Sequence, residues 1–169
     1  MDDFSICLDN ISKISNIIIG GLTVTLAFYV FVFQKEKDKK DRKIQWLKDL
    51  VIEPNLSKVT EFYNELHKLK EKIDTDSLDN ETKQELIEKV KESASNFRKI
   101  FLNLIESMAP TLHKNIFDNI DQLSDLLTET ISNDELKLTN KKTYERVIES
   151  PINSSYSEVL AYIFEYEGN

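Results

Sequence analysis

The sequence predicts an all-α protein with a single N-terminal transmembrane helix and a cytoplasmic helical bundle of four to five helices. Residues 14–34 contain 21 positions without a charged side chain. At about 1.5 Å per residue, such a helix matches the roughly 30 Å hydrocarbon core of a bilayer. The rest of the chain repeats apolar residues at helical spacing. The whole chain of 169 residues contains only three Gly and three Pro. We therefore divide the chain into a short extracytoplasmic leader (1–13), the transmembrane helix (14–34), a basic juxtamembrane helical linker (35–54) and the bundle (55–169).

A buried core helix and a cleaved signal peptide are the alternatives to a membrane span for residues 14–34. A buried core helix is usually shorter, at about 10–14 apolar residues. A cleaved signal peptide needs a basic leader, whereas Asp2, Asp3 and Asp9 precede this segment against a single Lys13. Both alternatives fit the sequence less well than a membrane span.

The charges on either side of the segment predict its orientation. Residues 35–43 carry a net charge of +3, and the positive-inside rule places that side in the cytoplasm. We expect a single-pass protein of the bacterial inner membrane with its N-terminus outside. The basic cluster suits either contact with anionic lipid headgroups or a simple stop-transfer flank. The residues of this cluster are Lys35, Lys37, Lys39, Lys40, Arg42 and Lys43.

Small and weakly polar residues share one face of the predicted membrane helix, because they are spaced three or four positions apart. Such a stripe permits close packing of membrane helices, or it faces water inside an oligomer. Both uses predict a homo-oligomer, while a lone anchor would tolerate the stripe by chance. The stripe consists of Ser12, Asn16, Gly20, Thr23 and Ala27.

The bundle is expected to contain helices bounded by proline and by turn-forming residues. Pro54 and Pro151 are predicted to end helices, because proline lacks the backbone N–H. Thr82 and Glu85 fit a capping box at the start of the longest helix. The predicted ranges are 35–53, 56–73, 80–108, 111–131, 142–149 and 155–166. The apolar stripe predicted for the longest helix is Leu86, Val90, Ala94, Phe97, Phe101, Leu104 and Met108, widened by Ile87, Ile100 and Ile105.

Composition and motifs favour a protein without catalytic, metal or cofactor sites. Residues 44–169 carry a net charge of −9, which is unfavourable for nucleic-acid binding. Cys7 is the single cysteine, so neither an internal disulfide nor a cysteine metal site is expected. His67 and His113 have no Cys or His at ligand spacing. No phosphate-binding glycine loop or nucleophile motif occurs. We expect the C-terminal aromatic residues mainly to pack in the bundle, with some left for an interface; these are Tyr156, Tyr162, Phe164 and Tyr166.

The apolar stretch Asn16–Phe33, the basic stretch Lys35–Lys43 and the segment KIQWLKDLVIEPN give the chain a layout that resembles small membrane effectors of bacterial phage-defence loci. It is similar in particular to the membrane accessory proteins of type VI-B CRISPR systems. The resemblance implies a HEPN-like helical domain, assembly of a membrane pore and a cytoplasmic defence protein as partner. HEPN ribonucleases carry an Arg-x4–6-His motif, which is absent after Arg42, Arg98 and Arg146. No HEPN site residue is therefore carried over.

Three functions follow from these observations. The first is a non-enzymatic antiviral-defence effector that forms a pore or perturbs the inner membrane and depolarises the cell. The second is a membrane tether or adaptor that recruits a cytoplasmic partner. The third is a HEPN-like ribonuclease, which the missing motif disfavours.

Overall fold

The computed structural model describes residues 2–73 and 78–167, with side chains described from residue 25 onward. All regular secondary structure in these residues is helical, which confirms the predicted all-α class. The chain divides into two compact units, Met1–Lys43 and Ile44–Asn169. The second unit therefore includes the part of the predicted linker that follows Lys43.

The first unit is formed by helix α1, whose full extent is Asp2–Leu47. Its side chains from Thr25 to Lys43 are exposed. Among the residues with described side chains, no helix has both the length and the hydropathy needed to cross a bilayer. The predicted span begins outside these residues, because side chains are described only from residue 25. The transmembrane assignment thus stays a prediction.

The second unit is a bundle of four main helices, α2, α4, α6 and α8. Helix α2 packs beside α4, α4 beside α6, α6 beside α8, and α8 beside α2, so the four helices form a closed ring around one core. The helices after α1 are α2 (Glu53–His67), α3 (Leu69–Ile73), α4 (Asn80–Phe97), α5 (Asn103–Ile105), α6 (Pro110–Ser132), α7 (Lys141–Tyr144) and α8 (Ser150–Phe164). Wider π-helical turns join α1 to α2, α4 to α5, and α7 to α8; they are Lys48–Ile52, Arg98–Leu102 and Glu145–Glu149.

The core follows the apolar periodicity of the sequence where the helices are regular. Helix α6 is the simplest case, since residues spaced three or four apart all face inward, as expected for a helix packed on one side. Its buried apolar side chains are Leu112, Ile116, Ile120, Leu123, Leu127 and Ile131. The predicted range 111–131 is therefore confirmed to within one residue at each end.

The predicted stripe of the longest helix is wrong at Leu104, whereas Met108 packs against the core as predicted. Leu104 is 44% exposed, whereas Leu102 and Ile105 are buried. The π-helical turn Arg98–Leu102 explains the change, because each such turn accommodates an extra residue and rotates the following face. The same rotation leaves Ile100 half exposed, at 50%.

Pro54 and Pro151 do not end helices, contrary to the prediction. Each lies in the first turn of the helix that follows a π-helical turn. A proline ring clashes with the carbonyl four residues earlier, and the wider turn relieves this clash. Helical backbone therefore continues through both prolines.

The N-terminus of α4 is capped by Asp79 rather than by Thr82. The carboxylate Oδ1 of Asp79 accepts a hydrogen bond from the backbone N–H of Thr82 at 2.7 Å. Hydrogen bonding from the Thr82 side chain, and then from its backbone N–H, holds the pKa of the Asp79 carboxyl below its ordinary value. The predicted capping box of Thr82 and Glu85 is thus wrong by one turn.

Candidate functional site

The residues predicted to act at the membrane lie on α1. Of the small-residue stripe, Ser12, Asn16, Gly20 and Thr23 have side chains outside the described part, and Ala27 is exposed. The six basic residues of the juxtamembrane cluster are all exposed. Within this cluster, the Arg42 Nε donates a hydrogen bond to the backbone oxygen of Asp38 at 3.1 Å. Beyond Leu26, large apolar side chains of the same helix are also exposed; they are Phe28, Tyr29, Val30, Phe31, Val32 and Phe33.

Within the described part of the bundle, a partly polar groove lies between α6 and α8, with a volume of about 340 Å³. Residues from both helices line it, together with Arg146 from the preceding π-helical turn. The lining residues from α6 are Asn119, Gln122, Leu123 and Leu126. The lining residues from the α8 side are Arg146, Ser150, Pro151, Ser154, Ser155 and Glu158. We call this surface the α6/α8 groove.

A chain of hydrogen bonds connects the floor of the α6/α8 groove to the core. Ser155 is buried, and its Oγ donates to the Oδ1 of Asn119 at 2.5 Å. The Tyr63 hydroxyl lies 2.8 Å from the same Ser155 Oγ, so it acts as the donor in this pair. Asn119 in turn donates through Nδ2 to a carboxylate oxygen of Glu158 at 2.7 Å. These hydrogen bonds link α2, α8 and α6, and each donor-to-acceptor step leads onward from Tyr63. The last acceptor is the exposed Glu158 carboxylate.

Burial determines the protonation state of Tyr63, the first donor in this series of hydrogen bonds. Desolvation raises the pKa of the Tyr63 phenol well above its ordinary value, and the nearby Glu158 charge raises it further. Tyr63 is consequently a neutral donor at physiological pH, which suits a structural rather than an acid–base role.

Opposite charges mark the two ends of the groove. Arg146 is exposed and, within the described residues, forms no ion pair. At the other end, Glu158 accepts hydrogen bonds from Asn119 and from the Oγ of Ser154. Sequence reasoning missed this arrangement, although Arg146, Ser150, Ser154 and Glu158 are spaced four apart. The spacing was a readable signal of a common helix face.

A second groove, of about 300 Å³, lies on the surface between α2 and α4. Its apolar wall includes the stacked rings of Phe62 and Phe97, whose centroids are 4.8 Å apart, and the half-exposed Ile100. Its rim carries both signs of charge, from Lys58, Glu61, Glu65, Lys89 and Glu92.

The two histidines have different surroundings. His67 is half-buried in the last turn of α2. His113 stacks on the ring of Phe117 at 5.9 Å, and the Arg98 guanidinium lies 4.8 Å from the centroid of that ring. Arg98 also pairs with Asp121. The fold thus brings an arginine and a histidine into contact with one ring, although they are too far apart in sequence to match an Arg-x4–6-His motif.

Metal ligands do not cluster in the described part of the chain: no group of three His, Cys, Asp or Glu residues is placed to hold an ion. Cys7 lies outside the described side chains. The C-terminal aromatics divide as expected, since Tyr156 packs on Tyr63 with ring centroids 4.7 Å apart, while Phe164 is 66% exposed. Tyr162 and Tyr166 are half-buried against the core.

No protein-family model, curated protein or solved structure matches this chain.

Proposed function

We propose that this protein is a membrane-anchored, oligomeric antiviral-defence effector of the bacterial inner membrane. In this proposal it is not an enzyme: it forms a pore or perturbs the bilayer, and thereby depolarises the cell. The defence setting comes from the resemblance in layout to phage-defence membrane proteins. The proposed membrane location rests on one observation, the run of exposed apolar side chains on α1 from Leu26 to Phe33.

The size of this run favours a lipid environment. Large apolar side chains in it are between 40% and 69% exposed. Burying one such side chain fully is favourable by about 1.5–3 kcal/mol, so the whole run gains on the order of several kcal/mol by leaving water. Contiguous exposed apolar surface of this kind is typical of membrane or protein contacts. The uncharged residues 14–24 precede the run and extend it to the length of a bilayer.

The basic cluster supports the proposed orientation. Its six Lys and Arg side chains are exposed directly after the apolar run. Each such charge near an anionic leaflet contributes about 1 kcal/mol of attraction. The acidic bundle beyond it would be repelled by the same leaflet, which leaves its surface available for other copies or for a partner.

A measurement of membrane potential tests the effector function. Expression of the full chain in bacteria, followed with a potential-sensitive dye, should depolarise the cells. The paired change Asn16→Leu and Thr23→Leu removes polarity from the stripe and should abolish or strongly reduce depolarisation. The matched control, Ile18→Leu with Val24→Leu, alters the same helix without altering the stripe and should behave like the wild type. Cells that keep their potential while the protein is present in the membrane would contradict the proposal.

A tether is the second candidate, and the groove between α2 and α4 favours it. That groove offers an aromatic wall and a charged rim, which suit an amphipathic segment of a cytoplasmic partner. Replacing residues 14–34 with an unrelated membrane helix separates the two functions. Full protection against phage after the exchange would favour the tether, and its loss would favour the effector.

A ribonuclease is the third candidate, and one contact favours it: Arg98 and His113 both pack on Phe117. The test is RNA cleavage by the purified full chain. Cleavage that disappears in His113→Ala would support this activity, whereas unchanged or absent cleavage would remove it.

A further inference from the structure

The α6/α8 groove is open on the surface of the bundle, and its exposed residues are arranged symmetrically along the helix. Ser150 and Ser154 are exposed in its middle, with Arg146 four residues before them and Glu158 four residues after them. The midpoint between the two serines is the midpoint between the two charged residues, at position 152. The span from Arg146 to Glu158 is about 18 Å for helical backbone.

We propose that this surface pairs with the same surface of a second copy of the chain, with the two α8 helices antiparallel about a twofold axis near position 152. A twofold contact places each residue opposite its mirror position in the sequence. Arg146 of each copy then faces Glu158 of the other, and Ser150 faces Ser154. The inference deepens the proposed function, because it names the surface through which membrane-anchored copies associate.

Charge complementarity favours a second copy over an unrelated occupant. The positive end of the groove has no ion pair within the described bundle, and the negative end is an exposed carboxylate that already accepts two hydrogen bonds. An antiparallel copy supplies a carboxylate for Arg146 and adds a cation to the hydrogen-bonded Glu158 carboxylate, at both ends of the contact at once. The small serine side chains in the middle permit a close approach of the two helices. The half-exposed Leu126 at the edge of the groove gains an apolar contact.

The hydrogen-bond chain makes this surface rigid. Ser155 and Asn119 tie α8 to α6, and Tyr63 ties both to α2. The charged and small residues are consequently held in place before the second copy arrives, which lowers the entropic cost of association.

The size of the surface predicts weak pairing that depends on the membrane. Stable protein–protein interfaces bury about 800 Å² on each partner, with about 20–30 residues a side, whereas this contact runs along about 18 Å of one helix. Anchoring in one membrane raises the effective concentration of the copies into the millimolar range and compensates for the small area. The pairing should therefore be measured with the full chain in membranes.

Charge reversal tests the antiparallel arrangement. Two differently tagged full-length copies are co-expressed, and their co-purification is measured after cross-linking in the native membrane. Arg146→Glu and Glu158→Arg should each lower co-purification by about tenfold or more, because each change places two like-charge pairs in the twofold contact. A chain that carries both changes should recover the wild-type level. Copies with Arg146→Glu should also pair with copies that carry only Glu158→Arg.

The control Lys142→Glu changes an exposed charge outside the groove and should leave co-purification unchanged. Circular dichroism confirms that each variant is folded. A second measurement uses Ser150→Cys in one copy and Ser154→Cys in the other, both with Cys7→Ser. These should form a disulfide on oxidation, whereas Asn153→Cys paired with Ser157→Cys, which lie outside the groove, should not.

The outcomes separate this inference from the proposed function. If folded single variants pair like the wild type, or if the double reversal fails to restore pairing, the twofold contact is wrong. If wild-type copies do not co-purify but the cells still depolarise, the effector function is supported and the proposed interface is wrong. If the copies pair as expected without depolarisation, the interface is supported and the effector function is wrong.

Discussion

Phe62 and Tyr63 are neighbours on α2, and their rings meet edge to face with centroids 4.9 Å apart. From this shared contact, each residue leads into a different seam of the bundle. Phe62 stacks with Phe97 of α4, and Phe97 stacks with Phe101 in the following π-helical turn, with centroids 5.3 Å apart. Tyr63 instead bonds to Ser155 of α8, which bonds to Asn119 of α6. We call these the aromatic seam and the polar seam.

The two seams stabilise the fold by different physical means. The aromatic seam relies on apolar burial and ring packing, which are large and only weakly directional. The polar seam relies on hydrogen bonds, whose net contribution is smaller but which leave costly unpaired groups when broken. We therefore expect the aromatic seam to provide most of the stability, and the polar seam to set the relative positions of α2, α6 and α8.

The largest effect is expected from Phe97→Ala in the aromatic seam. Phe97 is 4% exposed and stacks on two rings, so its removal leaves a cavity and should lower the free energy of unfolding by about 3–5 kcal/mol. Urea unfolding of the detergent-solubilised full chain, followed by circular dichroism, measures the change. Phe164→Ala is the control, because Phe164 is 66% exposed and its removal should change stability by less than about 0.5 kcal/mol. Equal losses in the free energy of unfolding of Phe97→Ala and Phe164→Ala would show that the aromatic seam stabilises the fold no more than an exposed ring does.

A smaller loss is expected from Ser155→Ala in the polar seam. This change leaves both the Tyr63 hydroxyl and the Asn119 Oδ1 without their partner, at a cost of about 1–3 kcal/mol. Tyr63→Phe removes one bond and leaves the other intact, so it should cost only about 0.5–1.5 kcal/mol. The same unfolding experiment ranks the two variants. A larger loss in Tyr63→Phe than in Ser155→Ala would contradict the central position of Ser155 in the polar seam.

The helix cap at Asp79 lies outside both seams, so its removal shows how much stability is lost when neither seam is altered. Asp79→Ala should lower the free energy of unfolding by less than Ser155→Ala does, because the Thr82 N–H loses its acceptor at an exposed helix end. The folded pKa of Asp79 is lowered from 3.8, so this contribution is present above that pH and is lost as the pH falls through the folded pKa. The difference between variant and wild type should therefore shrink in acid. Asp125→Ala, an exposed change on α6, serves as the control and should be nearly neutral.

The smallest effect is a change in titration that distinguishes buried from exposed tyrosines. Burial raises the pKa of both Tyr63 and Tyr144 from the ordinary 10.0. The unfolded chain releases these protons at lower pH than the folded chain, so stability should fall as the pH rises above about 10. Burial also raises the pKa of Tyr166, so tyrosinate absorbance should contain a late component from all three residues that becomes smaller when Tyr63→Phe and Tyr144→Phe are combined. A late component of unchanged size in this double variant would refute the assignment.

Sequence reasoning succeeded where a feature depends on local periodicity and failed where it depends on backbone irregularity. The inward face of α6 was predictable, because a regular helix repeats every 3.6 residues. Leu104 was misplaced because the wider turn at Arg98–Leu102 shifts the repeat, and no proline within that turn or directly after it announces the shift. Pro54 and Pro151 were misread as ends for a related reason, since the preceding turns absorb the steric clash.

The candidate site was the least predictable part. The spacing of Arg146, Ser150, Ser154 and Glu158 is visible in the sequence, but the groove exists only because α6 packs against this face. Ser155 looks like an ordinary polar residue between Ser154 and Tyr156. Its importance arises from two partners that are 92 and 36 positions away.

The sequence by itself therefore determined the all-α class, the uncharged N-terminal segment with its basic flank, and the core faces of the regular helices, since each depends on composition or on short-range spacing. The tertiary structure decided which helices are neighbours, how the three π-helical turns rotate their faces, and which polar side chains meet at Ser155. The physical reason is distance along the chain. Periodicity specifies which side of a helix avoids water, but contacts between remote residues depend on how all four helices pack together.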